Sequence, residues 1–131
     1  VLVISTQLVI QVEPWFEPRY LIPLAGMIFS NAMNSVSIAA ERFQAELDRD
    51  STPIQARNIA MNAAMIPLVN SLFAVGIVSL PGMMTGQVLS GISPLIAARY
   101  QILVMCMLFS ASGISAACYL YLLARQKTPS N

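Results

Sequence analysis

Four long stretches of this chain carry no Asp, Glu, Lys or Arg: Val1 to Val12, Tyr20 to Ala40, Asn58 to Ala98 and Tyr100 to Ala124. A bilayer core of about 30 Å takes roughly 20 apolar residues per helix, and three of the four stretches reach that length. A water-soluble bundle would need a polar face along each helix, and none of these segments has a charged one. Soluble domains are about one quarter charged, whereas this chain is 10% charged and 56% hydrophobic. The pattern predicts an all-α, polytopic transmembrane helical bundle embedded in the lipid bilayer. Spans are expected at about 1–12, 21–40, 58–80 and 95–124, joined by a polar connection over 41–57. Val1 is not a Met, and Val1 to Val12 reads as the end of a span rather than a signal peptide, because no basic segment precedes it. The expectation is therefore a C-terminal part of one transmembrane domain, with earlier spans lying upstream.

The same composition removes several functions. A net charge of +1 provides no basic face for nucleic acid. Histidine is absent, which removes His-based triads and most zinc enzymes. No carboxylate or histidine lies in an expected span to serve as acid or base, so an intramembrane enzyme is disfavoured. Cys106 and Cys118 lie twelve residues apart in one apolar run, about 18 Å along a helix and out of disulfide reach. No G-x-x-x-x-G-K-[ST] phosphate loop occurs, so this chain is expected to bind no cofactor. If ATP drives its work, a partner subunit must hold the nucleotide.

Along the chain, Glu13 to Tyr20 reads as a linker whose prolines end the first span and whose aromatics suit a membrane–water interface. Glu41 to Arg57 holds seven of the thirteen charged residues. Within it Phe43 and Leu47 share a helix face, and Arg42 and Glu46 can pair at i,i+4. Thr52-Pro53-Ile54-Gln55 reads as a helix start: Thr52 caps, Pro53 takes the first helical position, and Gln55 closes the box. That helix is expected to run through Arg57 into the membrane, kink at Pro67 and break at Pro81-Gly82. Met83 to Ser90 is then a short helix or a re-entrant turn, and Ser93-Pro94 starts a final helix to about Ala124. Five of the seven basic residues fall in 41–57 and the tail, which places both on the cytoplasmic side.

Polar residues within spans are costly and usually face protein or a cavity. Asn31, Asn34 and Ser35 share one side of the second span, and Asn58, Asn62 and Asn70 recur at multiples of four in the third. They read either as interhelical hydrogen bonding or as the lining of a translocation path. The path would comprise Asn31, Asn34, Asn70, Pro81, Gly82 and Gln87. Met83 and Met84 are candidate metal contacts, since thioethers can meet soft ions, with gap-filling as the plainer role. Gly26-x-x-x-Ser30 and Gly113-x-x-x-Ala117 are small-residue pairs of the kind that bring helix backbones together.

Four motifs occur in order: Asn31-Ala32-Met33-Asn34; Thr52-Pro53-Ile54-Gln55-Ala56; Val78-Ser79-Leu80-Pro81-Gly82-Met83-Met84-Thr85-Gly86-Gln87; and Tyr100-Gln101-Ile102. Together they resemble the bacterial iron-export ABC transporter permease family, whose plant relatives are linked to aluminium tolerance. The resemblance covers the C-terminal half of a family member. It implies a multi-pass permease of the bacterial inner membrane that pairs with a separate ABC ATPase subunit and forms a homodimer. Its substrate would be a metal ion exported from the cytoplasm. It also implies that Thr52, Pro53 and Gln55 lie in the cytoplasmic connection that meets the ATPase. Phe43, Leu47 and Ile54 would then form an apolar contact surface, bordered by Arg42, Glu46 and Arg57. One departure stands out. Family members carry Leu-Gly-Ala-Thr-Pro after a longer charged helix, whereas Arg49-Asp50-Ser51 precedes Thr52-Pro53 here, leaving the connection about three helical turns short. Other readings are a permease for another substrate, such as a nucleotide sugar, and a membrane scaffold without transport.

Overall fold

The computed structural model describes residues 18–77 and 82–127. It consists of helices α1 (Pro18–Leu47), α2 (Pro53–Ile77), α3 (Gly82–Leu89) and α4 (Pro94–Lys127), with no strand among the described residues. The all-α expectation holds. The span expected at 1–12 and most of the linker after it lie outside the described residues.

Two helices, Ile22–Leu47 and Pro94–Gln126, are long and apolar enough to cross a bilayer. Only 17% and 33% of their most apolar windows are buried within the chain, whereas the core helix of a soluble protein would be mostly covered. Ile22, Phe29, Ile66, Phe73, Leu95, Ile102 and Leu122 all face outward, as side chains in contact with lipid do. α1 has 30 residues and is about 45 Å long at 1.5 Å per residue, more than a hydrocarbon core needs. Its last turns, from Glu41, are the charged ones. The stretch expected as a connection is therefore mostly helix, with α1 continuing to Leu47 because nothing in 41–47 breaks it. Pro23 and Pro67 sit inside α1 and α2 without ending either helix.

α1 packs against both α2 and α4, α2 packs against α4, and α3 packs against α4. Ala56, Ala60 and Ala64 recur every four residues on α2 and are fully buried. They meet Ala39 and Phe43 of α1, and Ala116, Leu120 and Ala124 of α4. Lipid tails are as apolar as leucine, so helix association in a membrane relies on close packing, which alanine ridges permit. Further along, Leu24 packs with Val104, Met107 and Leu108 between α1 and α4. Gly113 of α4 lies against Met65, which would be 3.7 Å from an added Cβ. Gly26 and Ser30, the other small-residue pair, are exposed.

The α1–α2 connection closes in five residues by three local devices. Asp50 N–H donates to Leu47 O at 3.1 Å and Ser51 N–H to Glu46 O at 3.1 Å, the two bonds of a Schellman cap. Asp50 holds the left-handed position with φ 60°. Thr52 N–H then donates to Gln55 Oε1 at 3.3 Å and Gln55 N–H to Thr52 Oγ1 at 3.4 Å, the capping box the sequence predicts. The same cap ends α3: Gly91 N–H donates to Val88 O and Ile92 N–H to Gln87 O, both at 3.0 Å, with Gly91 at φ 86°.

One cap thus has glycine at the left-handed position and the other aspartate, which predicts opposite signs. Gly91→Ala meets no neighbour within 4 Å, so its cost is purely backbone, about 1 kcal/mol. Asp50→Gly relieves the same strain and stabilises by up to about 1 kcal/mol. Denaturation of the two variants of the full-length protein in detergent checks both signs.

Candidate functional site

Two groups of polar residues stand out, one at the α1–α2 turn and one midway along the bundle. At the turn, Glu46 is 6% exposed and collects three partners. Arg42 Nη2 lies 2.8 Å and Arg49 Nη1 3.3 Å from Oε1, while Ser51 Oγ donates to Oε2 at 3.4 Å. The i,i+4 pair expected between Arg42 and Glu46 is present. A carboxylate withdrawn from water needs this kind of pairing.

Phe43 requires a correction. It was expected on an apolar contact surface, but it is fully buried against Ala56, Ala60 and Leu120. The reason is geometric: with α1 helical to Leu47, Phe43 lies four residues beyond Ala39 on the face that meets α2 and α4. Leu47 is half-buried against the same cluster, and Ile54 is 63% exposed. Thr52, Pro53 and Gln55 build the helix start. Arg57, half-buried, lines a cleft of about 320 Å³ with Asn58, Met61 and Tyr121 between α2 and α4.

In the second group, Asn31 and Asn34 do share one region. Asn34, Ser35 and Asn31 of α1 line a cavity of about 90 Å³ with Ser71 of α2. Asn31 and Ser71 also line an adjoining cavity of about 240 Å³ with Gln101, Met105 and Leu108 of α4. Asn34 further borders an open groove with Ser30 and Ser37. Asn31 Nδ2 donates to Met27 O at 2.9 Å, and Ser71 Oγ donates to Pro67 O at 2.8 Å. Gln101 is 9% exposed, and its Oε1 is buried without a hydrogen-bond partner.

Asn70 does not join this group. It is exposed and lines none of these cavities. At about 100° per residue, position 70 lies nearly opposite buried Leu68, whereas Ser71, itself exposed, is one turn beyond Leu68 and borders both cavities. Gln87 is half-buried, with its Oε1 also unpartnered. Gly82 begins α3. Pro81 and the side chains of Met83 and Met84 lie outside the described residues.

Sequence reasoning passed over Ser71, Gln101 and Met105. Gln101 is a conspicuous amide in the 25-residue uncharged run, but its inward facing follows only from the burial of Ala97 and Val104, at i−4 and i+3. Among the described residues no group of three His, Cys, Asp or Glu could hold a metal ion. Any ion here would meet amide, hydroxyl and thioether groups.

The sequence model of an uncharacterised protein family, UPF0014, matches residues 1–57 and 53–127. The UPF0014 membrane protein slr1647 of Synechocystis is 43% identical over 122 aligned positions, covering 82% of this chain and 47% of that protein. The probable iron export permease protein FetB of Escherichia coli is 42% identical over 122 positions, covering 80% of this chain and 47% of its own length. Protein ALUMINUM SENSITIVE 3 of Arabidopsis thaliana is 34% identical, covering 82% of this chain and 45% of its own. This chain therefore spans about half the length of the curated relatives it matches. Since 82% of the chain is about 107 residues, about 15 of the 122 positions aligned with slr1647 have no counterpart here. The two pieces of the family match overlap at 53–57, at the start of α2. No solved structure matches the chain.

Proposed function

This chain belongs to the UPF0014 family of membrane proteins, and we propose that it is part of the permease of an ABC exporter for a metal ion, iron foremost. The observation that carries this reading is its 42% identity with a protein named as a probable iron export permease. A second feature supports it. Amides and hydroxyls of α1, α2 and α4 border adjoining clefts, with Ser35 and Gln101 buried, and polar groups within a membrane bundle mark substrate or ion pathways.

In this reading ATP is hydrolysed on a separate subunit, two permease copies make up the transporter, and the protein sits in the bacterial inner membrane. The α1–α2 turn and the end of α4 lie on the cytoplasmic side. The ATPase docks at that turn, where Ile54 is the exposed apolar anchor within a polar rim. The shortened turn makes this contact smaller than in the longer relatives.

The full-length protein, reconstituted with its ATPase in proteoliposomes, is expected to show ATP hydrolysis stimulated by Fe²⁺ and export of the ion. Ile54→Asp is expected to abolish that stimulation while leaving insertion intact. Hydrolysis that no metal ion changes refutes the exporter reading, and an Ile54→Asp variant with normal coupling moves the ATPase contact elsewhere.

A further inference from the structure

The cleft of about 320 Å³ between α2 and α4 is lined by Arg57, Asn58, Met61, Ala117, Leu120 and Tyr121. Helical spacing builds its walls. Arg57 and Met61 stand four apart on α2, each one position beyond a fully buried alanine, Ala56 or Ala60. Ala117 and Tyr121 stand four apart on α4, each one position beyond buried Ala116 or Leu120, and Arg125 continues that row by one turn. α1 meets α4 at Leu24 with Val104 and again at Phe43 with Leu120, so those two helices run parallel. α2, which turns back from α1, therefore runs antiparallel to α4. The cleft then grades along the bundle from charged to apolar. Met61 lies one turn deeper than Arg57 and Ala117 two turns deeper than Arg125, about 6 and 12 Å at 1.5 Å per residue.

We propose that this cleft holds an anionic phospholipid, with its phosphate at Arg57 and one acyl chain along Met61, Ala117 and Leu120. Charge complementarity carries the inference. Arg57 is half-buried and Arg125 exposed, and neither has an ion-pair or hydrogen-bond partner among the described residues. No carboxylate lines the cleft, and the buried acid of the turn, Glu46, is taken by Arg42 and Arg49. A guanidinium drawn partly out of water needs an anion, and its planar fork matches a phosphate. Basic pockets between spanning helices take anionic headgroups in this way. Tyr121, 58% exposed, is the kind of amphipathic ring that sits at headgroup level. A small soluble anion would leave the apolar end uncovered, and a carboxylate of a docked soluble subunit does not reach past Arg57 towards the bilayer interior. The site goes beyond the exporter reading and requires only that the chain lie in a bilayer.

Native mass spectrometry of the full-length protein, titrated with phosphatidylglycerol or with phosphatidylcholine of the same acyl chains, tests this. The wild type is expected to hold its first phosphatidylglycerol about tenfold tighter than phosphatidylcholine. Arg57→Gln is expected to weaken phosphatidylglycerol about fivefold, the worth of one arginine beside an anionic lipid, and to leave phosphatidylcholine unchanged. Arg57→Lys restores most of that loss. Arg125→Gln, at the more exposed position, is expected to cost about threefold. Ala117→Phe, at an exposed position with both arginines intact, fills the apolar end and is expected to weaken both lipids about fivefold through lost chain contacts. A general attraction between surface charge and lipid would not respond to Ala117→Phe. Equal affinity of the wild type for the two lipids overturns the proposal, as does phosphatidylglycerol binding that either Arg57→Gln or Ala117→Phe leaves unchanged. Loss of ATPase association in Arg57→Gln, with its phosphatidylglycerol affinity intact, overturns it too and assigns the arginine to the partner subunit.

Discussion

Phe43→Ala is expected to cost the full-length protein about 3–5 kcal/mol, the range for truncating a buried aromatic side chain. Phe43 has no exposed surface and fills the space where α1, α2 and α4 converge, between alanines that cannot expand to replace it. It also lies within the charged stretch 41–57, at the end of the bundle reached by water, so the hydrophobic term adds to the loss of packing. Phe43→Leu keeps most of the volume and is expected to cost about 1–2 kcal/mol. Unfolding in mixed micelles, followed by far-ultraviolet circular dichroism, measures both. If Phe43→Ala is as stable as the wild type yet loses coupling to an ATPase, the side chain belongs to a partner surface and its placement in the core is wrong.

Phe43 also shows where sequence reasoning succeeds and where it stops. The uncharged runs announce the all-α class because runs of about 20 apolar residues match a spanning helix, whereas a barrel strand needs only about ten with alternating polarity. The capping box at Thr52 to Gln55 is legible because it depends on residues three apart. The Schellman cap at Asp50 is not, because aspartate carries no strong sign of a left-handed backbone, whereas Gly91 does. The length of α1 was harder to read: a cluster of charges resembles a loop until Arg42, Glu46 and the rest of 41–47 are seen to contain no breaker. Once the helix continues, Phe43 must turn inward with Ala39, and no local pattern reveals which neighbours it will meet.

The polar seam divides in the same way. Asn31 and Asn34 could be found because asparagine in an apolar run is conspicuous. Asn70 is equally conspicuous but points away, since counting in fours from Asn58 does not reveal which face of α2 is covered. That face follows from Ala56, Ala60 and Ala64, three small residues whose burial turns the Leu68 side of α2 inward and leaves Asn70 outside. Gln101 needed the same knowledge for α4. Local chemistry was readable, while the facing of each helix depended on its partners.

Removing both arginines around Glu46 is expected to cost more than the sum of removing each. The carboxylate is the buried member of the group: its side chain is 7% exposed, against 41% for Arg42 and 65% for Arg49. In Arg42→Ala, Arg49 still pairs with Oε1, and the expected loss is about 1–2 kcal/mol, that of a hydrogen bond to a charged group. In Arg49→Ala the more exposed and longer contact is lost, at about 0.5–1 kcal/mol. The double variant leaves a carboxylate in the turn with Ser51 as its remaining side-chain partner, and breaking a buried pair in this way costs about 3–5 kcal/mol. Glu46→Leu removes the buried charge and lets both arginines return to water, so it is expected to cost less than the double arginine variant although it eliminates both ion pairs. A double-mutant cycle from unfolding curves of the full-length protein gives the coupling directly. A coupling near zero, or Glu46→Leu more damaging than the double variant, would show that water reaches the carboxylate and that backbone caps alone hold the turn.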